Sequence, residues 1–229
     1  MKKIFNYFSV FERVLWSVSV LTIVISFFVF GEKDYFKLAA SLIGATALVF
    51  NAKGNPIGQV LMIIFGVMYG IISYSFKYYG EMITYLGMSV PMAAFALVSW
   101  LKNPYNGNKA EVKVNKLKPV EYVFMFALTA LVTFGFYFIL DYFNTANIIP
   151  STLSVATSFA AVYLTFRRSP FYAVAYALND IVLIVLWVLA TISDISYLSV
   201  VICFVVFLAN DLYGFASWNK MSGRQNEGK

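Results

Sequence analysis

Apolar runs of roughly the ~20 residues that a helix needs to cross a bilayer recur along the whole chain. Eight can be drawn, at residues 11–30, 36–51, 56–76, 81–101, 119–143, 150–166, 170–191 and 196–218. The second and sixth are short enough to lie tilted or partly in the interface. Pro56, Pro119, Pro150 and Pro170 fall at predicted helix starts, where a missing N–H costs nothing. Pro91 instead lies inside the fourth run with Gly87, which predicts a kink or an unwound turn there. The pattern predicts an all-α integral membrane protein of about eight transmembrane helices. Met1-Lys2-Lys3 before an apolar run imitates a signal peptide, but no small-x-small cleavage site follows, so the segment is expected to be retained.

Composition narrows the class. Of the 229 residues, 61% are hydrophobic and 12% charged, with a mean hydropathy of +0.76; a soluble domain has roughly 45–50% apolar and 25% charged residues. A soluble enzyme, a nucleic-acid binder and a disordered chain are all excluded on that ground. Histidine is absent and Cys203 is the only cysteine. No metal site, no cofactor and no intramolecular disulfide are therefore expected.

The net charge of +6 has a topological origin. Eight spans place both termini and every even-numbered loop on one side. That side carries Lys2, Lys3, Arg13, Lys53, Lys102, Lys109, Lys113, Lys116, Lys118, Arg167, Arg168, Lys220, Arg224 and Lys229, against Lys33, Lys37 and Lys77 on the other. The positive-inside rule then puts both termini in the cytoplasm.

The chain reads as a single membrane domain, 1–229, that contains a tandem repeat. A first half at 11–101 and a second at 119–221 are separated by a cytoplasmic loop at 102–118. Val98-Ser99-Trp100 matches Ala216-Ser217-Trp218, and Asn55-Pro56 after Lys53 matches Ser169-Pro170 after Arg167-Arg168. Glu12 matches Glu121. Four spans per half is an even number, so the halves enter the membrane in the same direction, an arrangement that places a transporter's midplane site between repeats.

Two Asn-Asp pairs, Asn179-Asp180 and Asn210-Asp211, lie inside predicted spans. An ionisable residue at membrane depth costs at least ~2.5 kcal/mol on insertion scales, which makes it a functional candidate. Asp180 is ten residues from Pro170 and Asp211 seven before Trp218, depths of about 15 and 10 Å from one end. These four residues, walled by Tyr176 and Trp187, form the predicted substrate site, with Gln59, Tyr69, Tyr85 and Tyr213 as further candidates. For the amides, interhelical hydrogen bonding is the alternative role. Glu81, Asp141 and Asp194 are expected to be interfacial. No Lys or Arg lies deep in a span, so a phosphate ester is disfavoured and a neutral or cationic substrate favoured.

The run from Ser41-Leu42-Ile43-Gly44 through Asn51-Ala52-Lys53-Gly54, then Tyr79-Gly80-Glu81-Met82 leading to Pro91-Met92, resembles the PnuC-type vitamin transporters. Tyr176-Ala177-Leu178-Asn179-Asp180 and Asn210-Asp211-Leu212-Tyr213-Gly214, ending at Trp218, extend the resemblance over nearly the whole chain. The resemblance implies uptake of nicotinamide riboside by facilitated diffusion, with the substrate trapped by cytoplasmic phosphorylation. It also implies two parallel three-helix bundles joined by a linker helix, related to the SWEET transporters, an extra N-terminal helix and a homotrimer. Where the family pattern has Trp-x-x-x-Asn, this chain has Tyr176 and Asp180. Relatives that carry deoxynucleosides, thiamine or riboflavin are the alternative, as is proton coupling through Asp180 or Asp211. The expected partners are thus a vitamin or nucleoside substrate and membrane lipid. An intramembrane enzyme has no nucleophile–base pair to support it, and in a purely structural subunit the carboxylates would only pack.

Overall fold

The computed structural model describes residues 7–30, 34–75 and 79–227. Met1, Lys2, Lys3, Lys33, Lys77, Lys229 and the end of the third apolar run at Phe76 lie outside the described residues. Eight helices are long and apolar enough to span a bilayer, and the protein is a multi-pass membrane protein. They are α1 (Val10–Phe30), α2 (Tyr35–Ala52), α3 (Ile57–Ser75), α4 (Tyr79–Lys102), α5 (Pro119–Tyr142), α6 (Ile148–Phe166), α7 (Tyr172–Thr191) and α8 (Leu198–Glu227). Side chains such as Val123, Phe124, Leu131 and Phe134 on α5 are exposed, as lipid-facing residues must be.

The expected irregularity in α4 is present. Thr84–Ser89 form a π-helical turn before Val90–Lys102 resumes the α-helix. Pro91 has no N–H to donate, and the wider turn absorbs that defect. The 102–118 loop differs from expectation because it holds a short hairpin, Pro104–Tyr105 against Asn108–Val112. Asn106 and Gly107 make its turn at φ 48 and 77, the left-handed pair that Asn-Gly supplies at little steric cost. The last helix runs on past Trp218 to Glu227 because Arg224 and Gln225 dock on the hairpin at Glu111.

Helix α2 packs on α3, α3 on α4, α6 on α7 and α7 on α8; α8 also crosses to α2, and α4 to α6. The ends of α2 and α6 are built alike. Gly54 donates to the Asn51 carbonyl and Asn55 to that of Phe50, while Arg168 donates to Thr165 and Ser169 to Leu164. Gly54 (φ 64) and Arg168 (φ 58) both take the left-handed conformation that ends a helix. Lys53 pairs with Glu12 of α1, and Arg167 pairs with Glu121 of α5.

The two Ser-Trp dipeptides then bond across to these same helix ends. Trp100 Nε1 donates to the Thr165 carbonyl at 2.9 Å and Ser99 Oγ to that of Phe166 at 2.9 Å. Reciprocally, Trp218 Nε1 donates to the Asn51 carbonyl at 2.8 Å and Ser217 Oγ to that of Ala52 at 2.7 Å. A helix leaves its last carbonyls short of internal partners. Here the opposite half supplies bonds to Ala52 and Phe166 and adds a second bond to Asn51 and Thr165, which also accept from Gly54 and Arg168. The indoles meet with centroids 5.4 Å apart, Trp100 1% and Trp218 0% exposed. This latch packs at the middle of the face that carries Lys53, Lys102 and Arg167, the basic face.

Candidate functional site

Directly above the latch lies the polar layer. Tyr172 stacks edgewise on Trp218 with centroids 4.9 Å apart, and on Tyr176 at 6.2 Å. One turn further along α7, Asp180 comes within hydrogen-bonding reach of Asp211 on α8. Asp180 and Asp211 are each 4% exposed. One carboxyl oxygen, Asp180 Oδ2, has no hydrogen-bond partner among the described residues. Tyr176 and Tyr172 are within electrostatic reach of Asp211, and Tyr85 of α4 is within reach of Asp180. Tyr85 packs on Tyr69 of α3 with centroids 4.4 Å apart. The walls of this layer are therefore aromatic rings from α3, α4 and α7, and its floor is a carboxyl pair.

Trp187 stands two turns beyond Asp180, where it borders two cavities. A smaller one of about 70 Å³ includes Tyr69, Ser26, Ser41 and Ser73, and a larger one of about 210 Å³ includes Glu81 and Thr145. Both lie toward the face opposite the latch, the far face.

Five of the ten sequence-predicted residues thus converge, Tyr69, Tyr85, Tyr176, Asp180 and Asp211, and a sixth, Trp187, borders the cavity that includes Tyr69. The other four are engaged between helices. Asn179 Oδ1 accepts from Thr157 and Ser158 of α6 at 2.8 and 2.9 Å. Asn210 Nδ2 donates to Ser19 of α1 and to the Val206 carbonyl at 2.9 and 2.8 Å. Gln59 Nε2 donates to Asn51 Oδ1 at 2.8 Å, and the Tyr213 hydroxyl to Glu12 at 2.9 Å. Neighbours on a helix point about 100° apart. Within each Asn-Asp pair the aspartate faces the layer, and the amide turns to another helix.

Residues 34–220 match the family described as nicotinamide mononucleotide transporter. The chain belongs to that family. A relative from Neisseria mucosa, "Nicotinamide riboside transporter PnuC", is 26% identical over 98% of this chain and 87% of its own length. The solved structure described as "Crystal structure of the Vitamin B3 transporter PnuC" is similar with a TM-score of 0.82 and 25% identity, over 95% of this chain and 94% of that one. The PnuC-type resemblance carried by the sequence motifs is therefore correct.

One residue of the layer in this transporter family member escaped sequence reasoning. Tyr172 is fully buried between Trp218 and Asp211. It precedes Tyr176 by four residues and Asp180 by eight, so the helical period could have found it. Among the described residues no group of three His, Cys, Asp or Glu side chains could hold a metal ion.

Proposed function

We propose that the chain takes up nicotinamide riboside across a bacterial inner membrane, with the basic face in the cytoplasm. The observation that carries this reading is the buried carboxyl pair between aromatic walls. A pyridinium riboside offers one positive ring to the carboxyls, hydroxyls to hydrogen-bond and a flat face for Tyr176. A mononucleotide adds a phosphate, and the described Lys and Arg side chains sit at helix ends and loops rather than in this layer. Placed beside two carboxyls without a cation, that phosphate would be repelled. The relative named for the riboside supports the same choice.

Transport in this reading is facilitated diffusion between two repeats, 11–101 and 119–221, rocking about the layer, with cytoplasmic phosphorylation trapping the product. The matched helix ends and reciprocal Ser-Trp bonds support the repeat. The latch closes the cytoplasmic side, while the cavities beside Trp187 face outward. Two parallel three-helix bundles joined by α5, with α1 as the extra helix and three copies assembled together, complete the proposal. An Asp180→Ala variant that inserts and melts normally is expected to lose riboside uptake in liposomes; wild-type uptake by that variant removes Asp180 from the site.

The carboxyl–carboxyl contact favours a second reading, in which a proton moves with the substrate. Riboside accumulation driven by an imposed pH gradient, with the membrane potential clamped at zero by potassium and valinomycin, selects that reading. Uptake that stops at equilibrium selects facilitation.

A further inference from the structure

The larger far-face cavity, about 210 Å³, is lined by Glu81, Asn144, Thr145, Asn147, Ser151 and Trp187 among others. Sequence reasoning gives Glu81 only an interfacial role, but its setting is that of a binding group. Glu81 Oε2 is buried and has no hydrogen-bond partner among the described residues, and neither has Thr145 Oγ1 on the same cavity. Glu81 takes part in none of the four ion pairs among the described residues.

The backbone around it is built for close approach. A Cβ on Gly80 would come within 2.5 Å of Leu140 Cδ2 and 2.6 Å of Thr145 Oγ1, so only glycine lets the start of α4 lie this near the α5–α6 turn. That turn is fixed by left-handed Asn144 and Asn147 at φ 50 and 53, and by the Thr145 N–H donating to the Leu140 carbonyl at 3.0 Å. A buried carboxylate oxygen and a hydroxyl left without partners are costly in the empty protein. A ligand that brings positive charge and a hydrogen-bonding group removes that cost. Trp187 adds an aromatic face, and it also borders the cavity that contains Tyr69.

We propose that this cavity is a second, outer binding site for a small aromatic cation, held by Glu81, Thr145 and Trp187 before it passes to the central carboxyl pair. The proposal rests on the reading above that the far face is external and the substrate cationic. Glu81 neutralises the ring charge, the Thr145 hydroxyl takes one polar substituent, and the indole of Trp187 accepts the ring face. Uptake then proceeds by capture and transfer, with affinity from the outer site and selectivity from the inner one.

The test uses the full-length protein in detergent and in liposomes. Isothermal titration with 1-methylnicotinamide, a pyridinium cation without a ribose, reads the outer site when wild type is compared with Asp180→Asn, in which the central pair is disabled. Wild type is expected to bind it, E81Q about ten-fold more weakly, and T145V more weakly as well, while neither variant melts below wild type without ligand, because each removes a buried group that lacks a partner. Asp180→Asn, which disables the central pair and riboside uptake, keeps the outer binding. In liposomes E81Q raises KM for the riboside about ten-fold at unchanged Vmax. Equal binding by E81Q and wild type, no binding by wild type, or loss of binding in Asp180→Asn overturns the outer site. Glu81-dependent binding without any riboside uptake keeps the outer site and removes the transport reading instead.

Discussion

Replacing both latch serines, in Ser99→Ala/Ser217→Ala, is expected to open the basic face. Each serine hydroxyl bonds a terminal carbonyl of the opposite half, that of Phe166 at 2.9 Å and that of Ala52 at 2.7 Å. A hydrogen bond of this half-buried kind contributes about 0.5–1.5 kcal/mol net, so the pair holds the closed arrangement by about 2 kcal/mol. Removing it shifts the closed-to-open ratio roughly 30-fold if both bonds are absent in the open arrangement. The indole bonds of Trp100 and Trp218 remain, so the helices stay paired in the closed state. Spin labels at the exposed Lys102 and Lys220, placed in a Cys203→Ala background, report the separation of α4 and α8 by double electron–electron resonance. The double variant should populate a longer distance that wild type scarcely visits, and single variants should fall between. Identical distance distributions in all four proteins would refute the assignment of the latch as a gate.

Two further predictions separate packing from binding. Gln59→Leu strands the Asn51 side-chain oxygen between α2 and α3 and should lower stability by about 1–3 kcal/mol, read by thermal melting, while KM for the riboside stays unchanged. Arg168→Gly places glycine where the matching turn already has Gly54 and relieves a left-handed backbone at φ 58, so the melting temperature should rise by the equivalent of about 1 kcal/mol.

The eight helices were legible in the sequence because a bilayer imposes a length and forbids charge, and both marks survive in a single chain. Gly87 and Pro91 likewise announced the irregular turn of α4. The Asn106-Gly107 turn carries an equally strong local signal for a hairpin, inside a loop whose charge and length otherwise read as a linker. The site was half legible. Asp180, Asp211 and Tyr176 follow from depth and period, but depth does not say which way a side chain points, and Asn179 and Asn210 turn from their aspartates to α6 and α1. The Ser-Trp dipeptides could be recognised as matching sequences. That each one caps a helix of the other half is a long-range fact, with 65 and 167 residues separating the Trp donors from their acceptors, and no local pattern encodes it.

The central claim is that a carboxyl-lined, aromatic-walled layer carries a pyridinium riboside and rejects its phosphate ester. Purified protein in liposomes, offered labelled nicotinamide riboside and nicotinamide mononucleotide in parallel, tests this directly. Saturable riboside uptake should appear and should quicken under a negative-inside potential, which is worth about 2.3 kcal/mol per unit charge per 100 mV, while mononucleotide is neither taken up nor competes. Equal uptake of the mononucleotide, or uptake of thymidine or thiamine with none of the riboside, would contradict it.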